Sequence, residues 1–261
     1  IMDMRIFPGA LAGSIEAVAS KSEAHRLLIC AALADGVTDI DCNTTSQDID
    51  ATAACMRALG ARVTRTKKGF RVVPVCAGSP ERGALLDCGE SGSTLRFLLP
   101  VVATLGCDAS LTGHGRLPER PLSPLYEELV AHGALLGPQG AMPLSVGGRL
   151  ESGRYEIAGN VSSQYVSGLL LAAPLMDGGC EVLVTEPIES LPYIDITVAA
   201  LAQFGVDVAR EKFDDGERRG LLFRVPGGSR LRTPGQVRVG GDWSNAAFWL
   251  AAGALSEEGV T

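Results

Sequence analysis

Apolar residues along this chain alternate between two rhythms. Runs at helical spacing, entered through a small or hydroxyl-bearing residue and ended by glycine, give way to short strand-like stretches. Four of the helical runs are long: Ser22–Leu33 before Gly36, Ser91–Leu105 before Gly106, Ser162–Leu175 before Gly178, and Ser244–Leu255 before Gly259. Their glycines are spaced by 70, 72 and 81 residues. Shorter helices, Cys55–Leu59, Leu125–His132 and Val198–Phe204, stop at Gly60, Gly133 and Gly205, spaced by 73 and 72. Each glycine is expected to supply a left-handed cap. Strands are expected after the first helix type at Asp39–Cys42, Ala109–Thr112 and Glu181–Thr185, and after the second at Ala61–Val63, Ala134–Leu136 and Val206–Val208. Further strands are expected at Phe70–Val75, Leu144–Val146, Arg154–Ile157 and Leu221–Val225. A period this regular predicts one supersecondary unit used three times with a fourth begun. The fold class is therefore α/β (α+β), built from βαβαββ-type repeats.

The fourth unit opens at Gly240-Gly241-Asp242-Trp243-Ser244 and reaches Gly259, where the pattern breaks off at Val260-Thr261. Its helix, Ala246–Leu255, is apolar all round and has no partner in the rest of its own unit. A second domain that is largely absent from these 261 residues is the expected reason.

Composition narrows the function. Apolar residues make up 46% and charged residues 20%, a soluble globular balance, and the net charge of −7 repels nucleic acid. No basic run with interleaved aromatics offsets that repulsion. Seven cysteines without a CxxC pair and three histidines without ligand spacing predict core thiols in a reducing compartment and no metal. The first residues lack a basic segment followed by an apolar run, and the longest apolar stretches, such as Val166–Leu175, are too short for a bilayer. A cytoplasmic protein with no membrane contact is expected.

Candidate chemistry collects at the helix entrances. Ser20-Lys21-Ser22-Glu23-Ala24-His25-Arg26 places an ammonium, a hydroxyl and, one turn later, a guanidinium beside free backbone N–H groups. That suits a phosphate or carboxylate, although a capped surface helix would look the same. Asp87-Cys88-Gly89-Glu90-Ser91-Gly92-Ser93-Thr94-Leu95-Arg96 offers glycines for close backbone approach and two hydroxyls, without a Walker lysine. Gly113-His114-Gly115-Arg116-Leu117-Pro118-Glu119-Arg120-Pro121 puts two arginines on a turn, and Arg is suited to bidentate anion binding. Ser162-Ser163-Gln164 is uncharged but rich in hydrogen-bonding groups, and Ser190 and Tyr193 add two hydroxyls before the next helix. Asp195 reads as a helix N-terminal charge. Taken singly, each of these segments is ordinary. If the repeats pack around a common axis with helix N-termini converging, Lys21, Arg26, Gly92, Arg120 and the Ser162–Gln164 triplet share one site for a small, multiply anionic, hydroxylated ligand.

These segments, in this order, resemble the 5-enolpyruvylshikimate-3-phosphate synthase (3-phosphoshikimate 1-carboxyvinyltransferase) family. The matching motifs are Ser20-Lys21-Ser22 with Arg26, Gly89–Arg96, Leu111-Thr112-Gly113 with Arg116, Arg120 and Pro121, Val161–Gln164, Pro192–Asp195 and Gly241–Ser244. The resemblance implies an enolpyruvyl transferase-like fold, with three repeats about a pseudo-threefold axis in each of two domains. It divides the chain into residues 1–19, a strand (Met4–Pro8) and crossover of the second domain; 20–238, the three-repeat domain; and 239–261, a crossover and the second domain's first helix. It implies transfer of the enolpyruvyl group of phosphoenolpyruvate to the 5-hydroxyl of shikimate 3-phosphate, releasing phosphate, without metal or organic cofactor, in a monomeric full-length enzyme. By the same likeness Lys21 touches both substrates and is the catalytic residue of this half. Ser22, Arg26, Ser162, Ser163 and Ser190 hold shikimate 3-phosphate, Gln164 bridges both substrates, and Gly92 and Arg120 hold phosphoenolpyruvate. Three positions depart from the common pattern: Glu90 and Ser91 stand where Asn and Ala are frequent, and Leu191 where a basic residue is. The family's proton-transfer carboxylates belong to the other domain, so these residues are expected to bind substrate without turnover.

Two other readings compete. A related transferase acting on UDP-N-acetylglucosamine shares the repeat architecture but expects Lys-Asn in place of Lys21-Ser22 and a cysteine on the arginine loop, which Gly113–Pro121 lacks. A non-catalytic binding module would show exposed apolar anchors rather than polar helix ends.

Overall fold

Serine side chains set most of the helix starts. In the computed structural model, which describes residues 5, 11–75 and 80–261, Ser20, Ser46, Ser91 and Ser162 each accept a backbone N–H at a helix entrance. Such a cap contributes about 1 kcal/mol and leaves the remaining first-turn N–H groups pointing outward. The elements run α1 (Lys21–Leu33), β1 (Thr38–Asp41), α2 (Gln47–Ala58), β2 (Arg62–Arg65), β3 (Gly69–Val73), β4 (Leu85–Asp87), α3 (Gly92–Leu105), β5 (Ala109–Thr112), α4 (Leu125–Ala131), β6 (Ala134–Leu136), β7 (Leu144–Gly148), β8 (Gly153–Ala158), α5 (Ser163–Ala172), β9 (Cys180–Thr185), α6 (Leu191–Gln203), β10 (Ala209–Asp214), β11 (Arg219–Val225), β12 (Gln236–Arg238) and α7 (Trp243–Leu255).

The strands form three four-stranded sheets with one shared pattern: β12-β1-β3-β2, β4-β5-β7-β6 and β8-β9-β11-β10. In each, the first pair is parallel and the other two are antiparallel. This is the βαβαββ unit three times over. The first copy is completed from the far end of the chain: β12 lies parallel to β1, with Ile40 opposite Val237. The ring of units therefore closes on itself.

The helices of the first type form the centre. Ala24 through Ala32 of α1 are all buried, as are Leu95 and Phe97–Thr104 of α3 and Tyr165–Ala172 of α5. A helix apolar on every face is stable only with neighbours on every side, and here the neighbours are the other two units and the sheets. By contrast α2, α4 and α6 bury one face each and lie outside.

Several expectations need correction. Gly106 does end α3 in the left-handed conformation, at φ 62°. Gly36 and Gly178 do not have positive φ; α1 ends on an extended Ala34. Gly36 is small for another reason: a Cβ there would lie 2.6 Å from the Thr233 methyl. Val206–Val208 is loop, and the strand begins only at Ala209. Its sequence, Ala-Arg-Glu-Lys-Phe-Asp, has no alternation because it is an exposed edge strand. The three-residue strands β4 and β12 carried too little pattern to be seen. α5 gives way to a 3-10 turn at Ala173–Leu175. The last helix starts at Trp243 with Asp242, not Ser244, as its cap.

The expected strand Met4–Pro8 lies, apart from Arg5, outside the described residues, as does Cys76. The other six cysteines are free and buried. Residues 13–19 run beside 240–261, with Ser20 N donating to Gly240 O and Asp242 N to Val18 O. α7 buries none of its residues; Trp243, Phe248 and Leu255 are more than three-quarters exposed. Among the described residues no helix is long and apolar enough to cross a membrane.

Candidate active site

The entrances of α1, α3, α5 and α6 meet around a cavity of about 400 Å³, lined by Lys21, Ser22, Arg26, Ser93, Phe97, Val161–Gln164, Ser190 and Tyr193. Its lining holds two cations and no carboxylate. Its size is that of a small-metabolite site. Larger depressions exist elsewhere, but they do not gather helix N-termini and basic side chains in this way. With the first-turn N–H groups of several helices added, this is the anion-favouring corner of a protein whose net charge is negative.

Lys21 is half exposed, and its Nζ lies 2.9 Å from Asp48 Oδ2. Asp48 comes from the first turn of α2, and the pair keeps the ammonium extended at the mouth of the cavity. Arg26, one turn further along α1, is 2% exposed. Its Nε and Nη atoms donate to Thr197 Oγ1, Ser167 Oγ, Tyr193 O and Ser22 O, and its carbon Cζ lies 4.6 Å from the centre of the Phe97 ring. Burial lowers its pKa to about 10, still protonated at neutral pH.

The hydroxyls of Ser22, Ser163 and Ser190 have no hydrogen-bond partner among the described residues, so they are available to a ligand. Ser162 is occupied as a cap, accepting from Gln164 N at 3.2 Å. Ser190 sits at φ 58° and makes no cap bond itself. Gln164 is held at both ends: Arg96 Nη1 donates to its Oε1 at 2.6 Å, and its Nε2 donates to Ser93 Oγ at 2.9 Å. The arginine settles the amide orientation, so the Gln164 side chain offers the cavity N–H rather than carbonyl oxygen.

Gly92 and Arg120 lie outside the lining of this cavity but against each other. A Cβ on Gly92 would stand 2.6 Å from Arg120 Nη1 and 3.5 Å from Arg96 Nη1. Arg96 Nη2 also donates to Pro121 O, as does the Tyr165 hydroxyl. A second cationic corner, Arg96–Arg120–Gly92, is thereby joined to the first through Ser93 and Gln164. All the residues expected at one site are thus within one contiguous region.

The Glu90 carboxylate packs on Gly115, where a Cβ would overlap it. Ser91 is a buried cap that accepts from Thr94 N at 3.2 Å. Leu191 is simply the half-buried first residue of α6. Asp195 pairs with Arg210 at 2.7 Å on the surface. Among the described residues no group of His, Cys, Asp or Glu is placed to hold a metal. The sequence reading missed Asp48, Ser167 and Thr197. No local signal marks them, since each meets its partner across 27 to 171 residues of chain.

Beneath the site His25 is buried, its Nδ1 2.7 Å from Thr52 Oγ1, which in turn lies 2.7 Å from Thr94 Oγ1. Among the described residues its Nε2 has no hydrogen-bond partner. Burial pushes the imidazole from its ordinary 6.5 down to about 3, with Arg26 and Lys21 pushing the same way and Asp48 opposing. Below pH 6.5 the unfolded chain takes up this proton and the folded chain does not. The contribution of His25 to stability is therefore complete above pH 6.5 and is lost by up to roughly 1.4 kcal/mol per pH unit as the pH falls from 6.5 toward 3. Replacing His25 with Gln is expected to flatten this part of a melting-temperature–pH curve; an unchanged acid slope would assign the loss to other groups.

Comparison with known proteins agrees with this geometry. The family model described as EPSP synthase (3-phosphoshikimate 1-carboxyvinyltransferase) matches residues 7–261. A 3-phosphoshikimate 1-carboxyvinyltransferase of Clostridium botulinum is 36% identical over 97% of this chain and 58% of its own length. One from Clostridium kluyveri is 38% identical over 98% of this chain and 58% of its own length. The solved structure of EPSP synthase from Acinetobacter baumannii superimposes with a TM-score of 0.80 at 28% identity, covering 97% of this chain and 55% of that one. Three βαβαββ units with helix entrances gathered on one face define an enolpyruvyl transferase-type fold. Within that class, the chain belongs to the EPSP synthase family. It spans a little over half the length of the relatives it matches.

Proposed function

We propose that this chain forms the shikimate 3-phosphate-binding part of a 3-phosphoshikimate 1-carboxyvinyltransferase, with phosphoenolpyruvate taken up at the adjoining Gly92–Arg120 corner. The observation that carries the reading is the cavity with Lys21, Arg26 and three unpartnered serine hydroxyls but no carboxylate. In this assignment Arg26 and Ser22, Ser162, Ser163 and Ser190 hold the phosphorylated ring. Lys21 stands between the substrates, and Gln164 reaches both. Arg120 and the Gly92 backbone take the phosphate or carboxylate of phosphoenolpyruvate.

Enolpyruvyl transfer by addition and elimination needs two anionic molecules held together with the 5-hydroxyl against the enol carbon. Neutralising cations and fixed donors supply that alignment. The reading includes a second domain, begun by residues 239–261, whose apolar α7 packs against the remainder of that domain, and no turnover by residues 1–261 alone.

The test is calorimetric titration with shikimate 3-phosphate, with Lys21→Ala as comparison. The wild-type chain is expected to bind, and Lys21→Ala to bind at least tenfold more weakly, about 1.4 kcal/mol. A folded wild-type chain that takes up no shikimate 3-phosphate would overturn the reading. Measurable enolpyruvyl transfer by these residues would overturn the claim about turnover.

A further inference from the structure

Arg26 is buried without a counter-ion. Among the described residues no carboxylate pairs with it, although a buried guanidinium ordinarily acquires one. Its partners are neutral: besides the Ser22 carbonyl of its own helix, three come from the third unit, Thr197 Oγ1 at 2.6 Å from Nε, Ser167 Oγ at 3.0 Å from Nη2, and the Tyr193 carbonyl at 3.0 Å from Nη2. The two hydroxyls are themselves linked, Thr197 Oγ1 donating to Ser167 Oγ at 2.8 Å. Both residues are completely buried in the helix core.

A carboxylate at either position would cancel the charge, and an apolar residue would leave the guanidinium N–H groups without acceptors. Hydroxyls do neither. They satisfy the donors and fix the plane of the guanidinium while leaving its charge uncompensated for a ligand.

We propose that Thr197 and Ser167 are positioning residues that clamp Arg26 as a pre-set, uncompensated cation against the cavity. The inference rests on the reading that this cavity takes shikimate 3-phosphate, and it extends the site to two residues of α5 and α6 that need no contact with the ligand.

The experiment compares wild type, Thr197→Val, Thr197→Ser and Ser167→Ala, with two readouts. The first is solvent exchange of the Arg26 Nε–Hε group by nuclear magnetic resonance; the second is titration with shikimate 3-phosphate. Slow exchange in wild type, at least tenfold faster exchange in Thr197→Val and restoration by Thr197→Ser are expected. Affinity for shikimate 3-phosphate should fall about tenfold in Thr197→Val, recover in Thr197→Ser, and weaken in Ser167→Ala. Unchanged exchange or unchanged affinity in a folded Thr197→Val chain would overturn the proposal. If Thr197→Val does not fold, Ser167→Ala decides through exchange of the Arg26 Nη2 protons and affinity for shikimate 3-phosphate: unchanged exchange or unchanged affinity overturns the proposal. Should the wild-type chain bind no shikimate 3-phosphate, the substrate reading falls, while the exchange measurement still upholds or overturns the clamp.

Discussion

Gly168→Ala is expected to lower the melting temperature by roughly 4–8 °C. Gly168 sits in the middle of α5 where that helix crosses α3. A Cβ there would lie 2.4 Å from the Arg96 carbonyl oxygen, 3.1 Å from Pro100 Cγ and 3.4 Å from the Arg96 carbonyl carbon. Two of these three atoms are backbone, so no side chain can rotate out of the way and the helices must separate. Overpacking of this kind costs about 1–3 kcal/mol, and the absence of any soft neighbour places it at the upper end; a domain of this size loses roughly 2–4 °C per kcal/mol. The methyl group also gains about 1 kcal/mol of helix propensity, which leaves a net loss of about 2 kcal/mol. A thermal melt of the variant decides the matter, and a shift of less than 2 °C would mean that α3 and α5 are not held at this distance. Because α3 carries Gly92 and Ser93 while α5 carries Ser162–Gln164, the same variant is expected to weaken ligand binding.

Gly92→Ala should do the opposite: little to stability, much to anion binding. The added Cβ meets Arg120 Nη1 at 2.6 Å, and that atom is the far end of a flexible, exposed side chain. Arg120 can swing away at small cost, so the melting temperature should stay within about 2 °C of wild type, the ordinary range for a substitution that strains no backbone. The guanidinium then no longer sits over the entrance of α3, and the corner proposed for phosphoenolpyruvate loses its placed cation. Binding of phosphoenolpyruvate in the presence of saturating shikimate 3-phosphate is expected to weaken by at least tenfold, about 1.4 kcal/mol. Binding of shikimate 3-phosphate itself, measured alone, should change little because Arg26, Ser163 and Ser190 lie beyond the reach of the methyl group. Equal losses for both ligands would show that the two corners are not separable. The two glycines stand only one helix contact apart, yet one meets backbone and the other meets a movable side chain, and that difference sets the sign of each expectation.

The stability of the remaining core follows the same physical reasoning. α1, α3 and α5 are buried on every side over most of their length, and the sequence shows this as apolar runs such as Leu27–Ala32 and Phe97–Ala103. α7 is equally apolar yet exposed, with Trp243 at 79% and Leu255 at 90%. Composition alone therefore does not separate a buried central helix from an exposed one.

The chain's own order of residues determined the period of the repeat, the fold class, the serine-capped entrances and the candidate residues Lys21, Ser22, Arg26, Gly92, Arg120, Ser162–Gln164 and Ser190. These are local signals: a cap is read within four residues and a helix face within eight, so both are visible without knowing the fold. Tertiary structure decided what no local window contains. It brought β12 beside β1 across nearly 200 residues to finish the first unit, turned four helix N-termini toward one cavity, and set Asp48 against Lys21. It also surrounded Arg26 with Ser167 and Thr197, two hydroxyls that in sequence are only polar interruptions of apolar helices. The physical reason is that a buried polar group is identified by what it meets, and what it meets is chosen by packing of units far apart in the chain.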